Sequence, residues 1–117
     1  MKELSVISKS KNLVKAVYIA LRVFPDIERY GLISQISRAV ISVPANLAEG
    51  QQRTDKEFIR FIRIARGSLK EVEVLIDISV DLEILHKDKF PTNEIYELLD
   101  EIGKMTYGLM LKLKSED

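Results

Sequence analysis

Apolar residues recur along this chain at steps of three and four, the period of an α-helix, in four stretches separated by short polar breaks. The breaks are Phe24-Pro25-Asp26 to Tyr30-Gly31, Gly50-Gln51-Gln52-Arg53, and Lys87-Asp88-Lys89-Phe90-Pro91. None is long enough to link separate domains, so they read as connections between packed helices. The pattern predicts one all-α domain over residues 1–117, an antiparallel up-and-down four-helix bundle.

The first helix is predicted over Lys11 to Phe24. Lys11, Lys15 and Arg22 share a narrow polar stripe, and Val14, Ala16, Val17, Ile19, Ala20, Leu21 and Val23 cover most of the rest. So broad an apolar arc must bury more than one face, which points to a second subunit. The second helix is predicted over Leu32 to Glu49, with Leu32, Ile36, Val40, Val43 and Leu47 at helical spacing and Gly50 just past the end as a C′ residue. Val40 to Val43 alone could pass for a strand, but the longer period outvotes it. Pro44 lacks the N–H that would bond the Val40 carbonyl, which predicts a kink.

The third helix opens on a capping box, Thr54-Asp55-Lys56-Glu57, with Phe58, Phe61, Ile62, Ala65, Leu69, Val72, Ile76, Ser79 and Leu82 as its core stripe. Its predicted end is Leu85 or His86. Gly67 in mid-helix costs about 1 kcal/mol relative to Ala, which suggests close approach of a neighbouring helix. The fourth helix is predicted to begin after Pro91, capped by Thr92 or Asn93, with Ile95, Leu98, Leu99, Ile102, Met105, Leu109 and Leu113 inward. Gly103 and Gly108 suggest tight packing there too.

The second helix carries an unusual polar stripe, Gln35, Arg38, Ser42, Asn46 and Glu49. Asn46 and Glu49 could form an acid/base pair. A buried hydrogen-bond network that fixes helix register is the better account, because buried polar groups are normally paired.

The composition, 46% hydrophobic and 31% charged, describes a globular protein. Without Cys there is no disulfide, thiolate nucleophile or Cys-ligated zinc. The N-terminal residues lack the apolar run of a secretory signal, and no apolar stretch approaches membrane-span length, so the expected location is the cytoplasm with no membrane partner. Net charge is zero, yet it is sorted: residues 1–70 carry 13 Lys and Arg against 6 Asp and Glu, a net +7, and residues 71–117 carry 5 against 12, a net −7. A basic half offers a footing for phosphates or acidic partners.

The sign changes inside the third helix. Before that point Lys56, Arg60, Arg63 and Lys70 share one helical face, with Arg53 preceding it and Arg66 flanking it. Cations in the first turns of a helix oppose its dipole, at a few tenths of a kcal/mol each where exposed. Three accounts remain: a phosphate track, a solvated face, or pairing with acids of a neighbouring subunit. The candidate nucleic-acid contacts are Arg38, Arg53, Lys56, Arg60, Arg63, Arg66 and Lys70. Phe58 and Phe61 are predicted to face the core, which leaves no base-stacking platform, so recognition would be directed at the backbone.

Catalytic chemistry finds little footing. Glu83-Ile84-Leu85-His86 has the Glu-x-x-His spacing of di-iron bundles, but the chain has 1 His and cannot supply a second motif. There is no Gly-x-Ser-x-Gly and no Gly-rich phosphate loop. No catalytic residue, metal or cofactor is assigned, and an enzyme is the class the sequence supports least.

Residues Gln35-Ile36-Ser37-Arg38-Ala39-Val40-Ile41-Ser42-Val43-Pro44-Ala45-Asn46-Leu47-Ala48-Glu49-Gly50 follow a pattern Q-x-x-R-A-x-x-S-[IV]-P-x-N-[IL]-A-E-G. Glu57-Phe58-Ile59-Arg60-Phe61 and Ile64-Ala65-Arg66-Gly67-Ser68-Leu69-Lys70-Glu71-Val72-Glu73 continue it. In these positions the chain resembles the four-helix-bundle proteins encoded in 23S rRNA intervening sequences. The resemblance implies a ring of identical subunits, a homopentamer. The family includes accessory proteins of diversity-generating retroelements, which are similar in fold and associate with nucleic acid and a reverse transcriptase. Two functions stay open: a ring that binds structured RNA through its basic face, or a protein–protein scaffold that does not touch nucleic acid.

Overall fold

The structure is a computed structural model and describes residues 3–115. It contains α1 (Ser5–Leu21), a short 3-10 turn (Asp26–Glu28), α2 (Leu32–Gln51), α3 (Asp55–Asp81) and α4 (Thr92–Ser115), with no strand among the described residues. Each helix packs on two others: α2 lies on α1 and α3, and α4 lies on α3 and α1. The fold is a four-helix bundle, 47 × 26 × 23 Å.

Cross-helix contacts fix two of the orientations. Ser42 meets Ser68, and Gly50 meets Phe58 and Phe61, so α2 and α3 run antiparallel. Arg66 meets Gly103, and Tyr96 meets Asp77, so α3 and α4 do as well. The core holds Leu13, Val17, Ile36, Val40, Val43, Leu47, Ile62, Val72, Ile76, Ile95 and Ile102, all fully buried. These residues follow the predicted stripe closely in α2 and in the first half of α4; beyond Ile102 it is Thr106 and Met110 that are buried, and Met105 and Leu109, expected inward, are only partly covered. In α3, Ile59 and Leu75 join the core, whereas Phe61 is half-buried and Leu82 is 57% exposed.

Besides the end of α1, which falls at Leu21 and not Phe24, three boundaries differ from the sequence reading. Helix α1 begins at Ser5, not Lys11, because its serines do not break it: the buried Ser10 hydroxyl donates to the Val6 carbonyl at 2.7 Å. Most of the broad apolar arc of α1 is then absorbed within the bundle; Leu13, Ala16, Val17 and Ala20 are buried, and Val14 and Ile19 are partly covered. Helix α3 stops at Asp81. There Glu83 takes a left-handed φ of 61°, and the amides of Ile84 and Leu85 both donate to the Ser79 carbonyl at 2.9 and 3.2 Å. That reversal turns Leu85 back into the core and leaves Glu83 and His86 outside the helix, so their spacing no longer places them on one helical face.

The third difference concerns glycine. Gly50 lies within α2 instead of capping it, and no glycine among the described residues has positive φ. Its role is space: a Cβ there would stand 2.6 Å from Phe61 Cβ and 2.7 Å from Phe58 Cδ1. Gly67 and Gly108, read from sequence as sites of tight packing, meet nothing within 4 Å, and a Cβ on Gly103 would make only ordinary contact with Leu69 at 3.9 Å. The helix that approaches α3 closely does so at its N-terminal end. The cap of α3 is as expected, with the Glu57 N–H donating to Thr54 Oγ1 at 3.3 Å, but the Glu57 carboxylate accepts from the Thr54 hydroxyl at 2.9 Å rather than from its backbone.

These contrasts predict opposite outcomes for one substitution type. Gly50→Ala should lower stability by about 1–3 kcal/mol through overpacking. Gly67→Ala, facing open space, should raise the stability of the isolated subunit by about 1 kcal/mol through helix propensity. Urea unfolding of dilute protein reads both, and equal effects of one sign would contradict the packing described.

Candidate nucleic-acid interface

The basic residues of α3 do not behave as one stripe. Arg53, on the connection before the helix, is held by Glu49 (Nη2 to Oε1, 2.6 Å) and lies 3.6 Å from Glu57. The Glu49 contact keeps its guanidinium protonated beyond the ordinary arginine range. Lys70 is paired with Glu73 at 2.9 Å, which raises its pKa. Arg66 is half-buried and donates from Nη1 to the Gly103 carbonyl at 2.7 Å and to Thr106 Oγ1 at 2.8 Å. Arg38 lies apart from all of these on α2, where its Nε reaches the Ser34 carbonyl at 3.4 Å.

Lys56, Arg60 and Arg63 remain. All are exposed, and among the described residues none has a carboxylate within ion-pair distance. They line one groove of about 450 Å³ together with Glu57, Ile59 and Lys114. Glu57 is already engaged by Thr54 and Arg53. Lys114 comes from the last turn of α4, a residue that belongs to the acidic half of the sequence. Antiparallel packing carries it beside the first turns of α3, so the groove is more basic than the α3 pattern alone indicates. The signal was available: Lys112 and Lys114 suit the negative end of α4, and the fold class places that end next to the start of α3.

Phe61 is also placed differently from the sequence reading. Its Cβ lies against Gly50, but the ring is only half-buried, with the guanidinium carbons of Arg60 and Arg53 at 4.7 and 5.4 Å from its centroid. Cation–π contacts of this kind hold Arg60 against the helix surface while leaving its charge uncompensated.

The polar stripe of α2 divides as well. Asn46 Nδ2 donates to the Ser42 carbonyl and to Ser42 Oγ, both at 2.8 Å, and the Ser68 hydroxyl donates to Ser42 Oγ at 2.9 Å. This half-buried network ties α2 to α3. Glu49 is not part of it, being turned outward to Arg53. Gln35 and Arg38 instead border an open groove with Tyr30 and Glu71. Among the described residues no cluster of His, Cys, Asp or Glu is arranged to hold a metal, and no helix is long and apolar enough to cross a membrane.

A sequence profile described as 23S rRNA-intervening sequence protein matches residues 2–108. The chain belongs to that family. The matched region contains the whole of α1, α2 and α3 and most of α4, so the groove residues Lys56, Arg60 and Arg63 fall inside it while Lys114 falls beyond it. A search of curated proteins found no match. Membership in the 23S rRNA-intervening sequence family accounts for the four-helix fold and leaves the activity to be argued from the surface.

One titration follows from the α3/α4 contacts. The Tyr96 hydroxyl donates to Asp77 Oδ1 at 2.6 Å, and burial together with the Asp77 carboxylate holds its pKa well above the ordinary tyrosine value. The unfolded chain therefore loses this proton first. Its stabilising contribution is complete below the unfolded tyrosine pKa of about 10 and is lost as pH rises above it. Tyr96→Phe should remove that part of the alkaline decline. Urea midpoints compared between the two proteins on either side of pH ~10 read the difference, and parallel declines would show that the bond is not kept in solution.

Proposed function

We propose that the protein binds structured RNA through the groove between the start of α3 and the end of α4, without catalysing a reaction. The observation that carries this reading is the set Lys56, Arg60, Arg63 and Lys114, gathered on one concave surface with no acid of the described residues paired to them. Placing cations in the first turns of α3 works against its dipole, and a phosphate ligand would offset that cost. Arg53 and Lys70, with their charges already engaged, border the site rather than form it. Backbone contacts of this kind favour polyanions in general, so selectivity for a particular RNA comes from shape.

Assembly is part of the reading. The outer face of α3 beyond the groove exposes Ile64, Val74 and Ile78, and Gly67 lies on that same face with open space around it. A mid-helix glycine with no packing partner in its own chain, next to exposed branched apolar residues, suits close approach of a second copy. With the family resemblance, this supports a ring of identical subunits, five in number, in which copies of the basic groove converge. The same sign change along α3 supports a second reading, a scaffold in which Arg60 and Arg63 of one copy meet Asp77 or Asp81 of the next.

Retention of RNA should fall steeply with salt. Three or four phosphate contacts correspond to a log–log slope of about −2 to −3.5. Arg60→Glu with Arg63→Glu should abolish retention at low ionic strength while leaving the particle mass unchanged by light scattering. If the double variant dissociates the particle instead, and the wild type retains no RNA, the scaffold reading replaces this one.

A further inference from the structure

A second groove lies further along the seam of α3 and α4. It has a volume of about 460 Å³ and is bordered by Arg66, Lys70 and Glu73 on one side and Asp100, Lys104 and Tyr107 on the other. Its charged rim is mostly self-neutralised, since Lys70 pairs with Glu73 at 2.9 Å and Lys104 with Asp100 at 3.0 Å. Arg66 is the exception. Its hydrogen bonds go to a backbone carbonyl and a hydroxyl, so its charge meets no carboxylate, and its guanidinium carbon lies 5.5 Å from the centroid of the Tyr107 ring. Tyr107 is 51% exposed, although large aromatic side chains bury much of their surface when the fold has room for them. Leu111, one turn further along the same face of α4, is 46% exposed and leads toward Lys114. Along this face Lys104, Tyr107, Leu111 and Lys114 follow at helical spacing, opposite Arg66, Arg63 and Arg60 on α3.

We infer that Tyr107 and Arg66 form a stacking platform for one unpaired nucleobase of an RNA whose adjoining phosphates occupy the Lys56–Arg60–Arg63–Lys114 groove. The inference rests on the RNA reading above and deepens it: the ligand is single-stranded at this point, not a continuous duplex. Arg66 is immobilised by Gly103 and Thr106 before any ligand arrives, so little side-chain entropy remains to be lost on stacking. A π-face next to a fixed guanidinium accepts any base, because every base presents a face to stack on. The platform also answers why a half-exposed tyrosine stands beside an uncompensated arginine in a seam whose other charges are paired.

The test compares binding of a short oligouridylate, an abasic strand of the same backbone, and a blunt RNA duplex. Tyr107→Ala should weaken oligouridylate binding by about fivefold to about a hundredfold, the range of a lost base stack, and leave the abasic strand and duplex unaffected. Tyr107→Phe should bind like the wild type. A 2-aminopurine base in the strand should be quenched by the wild type and not by Tyr107→Ala, a signal that a merely structural role of Tyr107 would not produce. Tyr107→Ala binding oligouridylate as the wild type does, or losing the abasic strand equally, overturns the platform. If Arg60→Glu with Arg63→Glu still abolishes binding in that case, the groove survives alone. Should the double variant change nothing on any of the three ligands, the groove and the platform fall together.

Discussion

Everything on the α3/α4 side of this bundle depends on where Arg66 is held. Its guanidinium donates to the Gly103 carbonyl and Thr106 hydroxyl, and Thr106 in turn donates to the Ile102 carbonyl at 2.8 Å. Hydrogen bonds from a charged donor contribute about 1.5–3 kcal/mol when well made, and they are directional in a way that apolar packing is not. A shift of α4 by one turn would replace the Thr106 hydroxyl by an apolar side chain, Ile102 or Met110, and Gly103 by a residue with a large side chain, Leu99 or Tyr107. That penalty pins the register, and the register decides which residues face each other: Tyr96 opposite Asp77, Tyr107 beside Arg66, Lys114 beside Lys56 and Arg60.

The α2/α3 side is fixed by a different means. Gly50 lets the start of α3 approach so closely that the aromatic ring of Phe58 and the Cβ of Phe61 occupy the space where a side chain would be. Half-way along, the Ser68 hydroxyl of α3 donates to Ser42 Oγ of α2, which Asn46 braces from within α2. One contact is steric and the other polar, and together they exclude sliding of α3 along α2. Phe61, pushed outward by this approach, is the ring against which Arg60 and Arg53 lie. The residue pattern that makes the helices pack thus also sets how the cations of the groove are presented.

Much of the fold was legible in the residue pattern. Four helical stretches, the core stripe of α2, the Thr54 cap and the start of α4 are written in local spacing, and local spacing is what a sequence exposes. The misreadings have two causes. Ser5, Ser8 and Ser10 look like coil until Ser10 is seen to satisfy itself on its own helix; Gly50 looks like a helix terminator until Phe58 and Phe61 arrive from another helix; Leu82 looks like core until the chain reverses at Glu83. Ser10 and Leu82 are decided by local hydrogen bonds to the Val6 and Ser79 carbonyls, whereas Gly50 depends on partners from another helix. The candidate site follows the same division. Lys56, Arg60 and Arg63 were visible as a face, and the pairing of Lys70 with Glu73 three residues on is a local signal, but Arg66 could not be separated from them because its acceptors, Gly103 and Thr106, come from another helix.

The charge sorting along the chain acquires a different meaning once folded. By sequence, Lys112 and Lys114 belong to the acidic half, and Lys70 to the basic one. By position, Lys114 strengthens the basic groove and Lys70 is neutralised by Glu73. What the fold makes of the sorting is therefore not two halves of opposite sign but an uncompensated cluster at the α3/α4 seam, with acids of α3 beyond Glu71 set toward the other end. Coulomb energy in water decays within about 8–10 Å at ordinary ionic strength, so those acids do not screen the groove across the length of the rod. A polyanion entering at Lys56 and Lys114 meets attraction that weakens as it moves along α3, which limits how far its backbone can follow the helix before it must turn away. On the RNA reading proposed above, that turn would fall near Arg66 and Tyr107, where a strand leaving the surface would have a base free to stack.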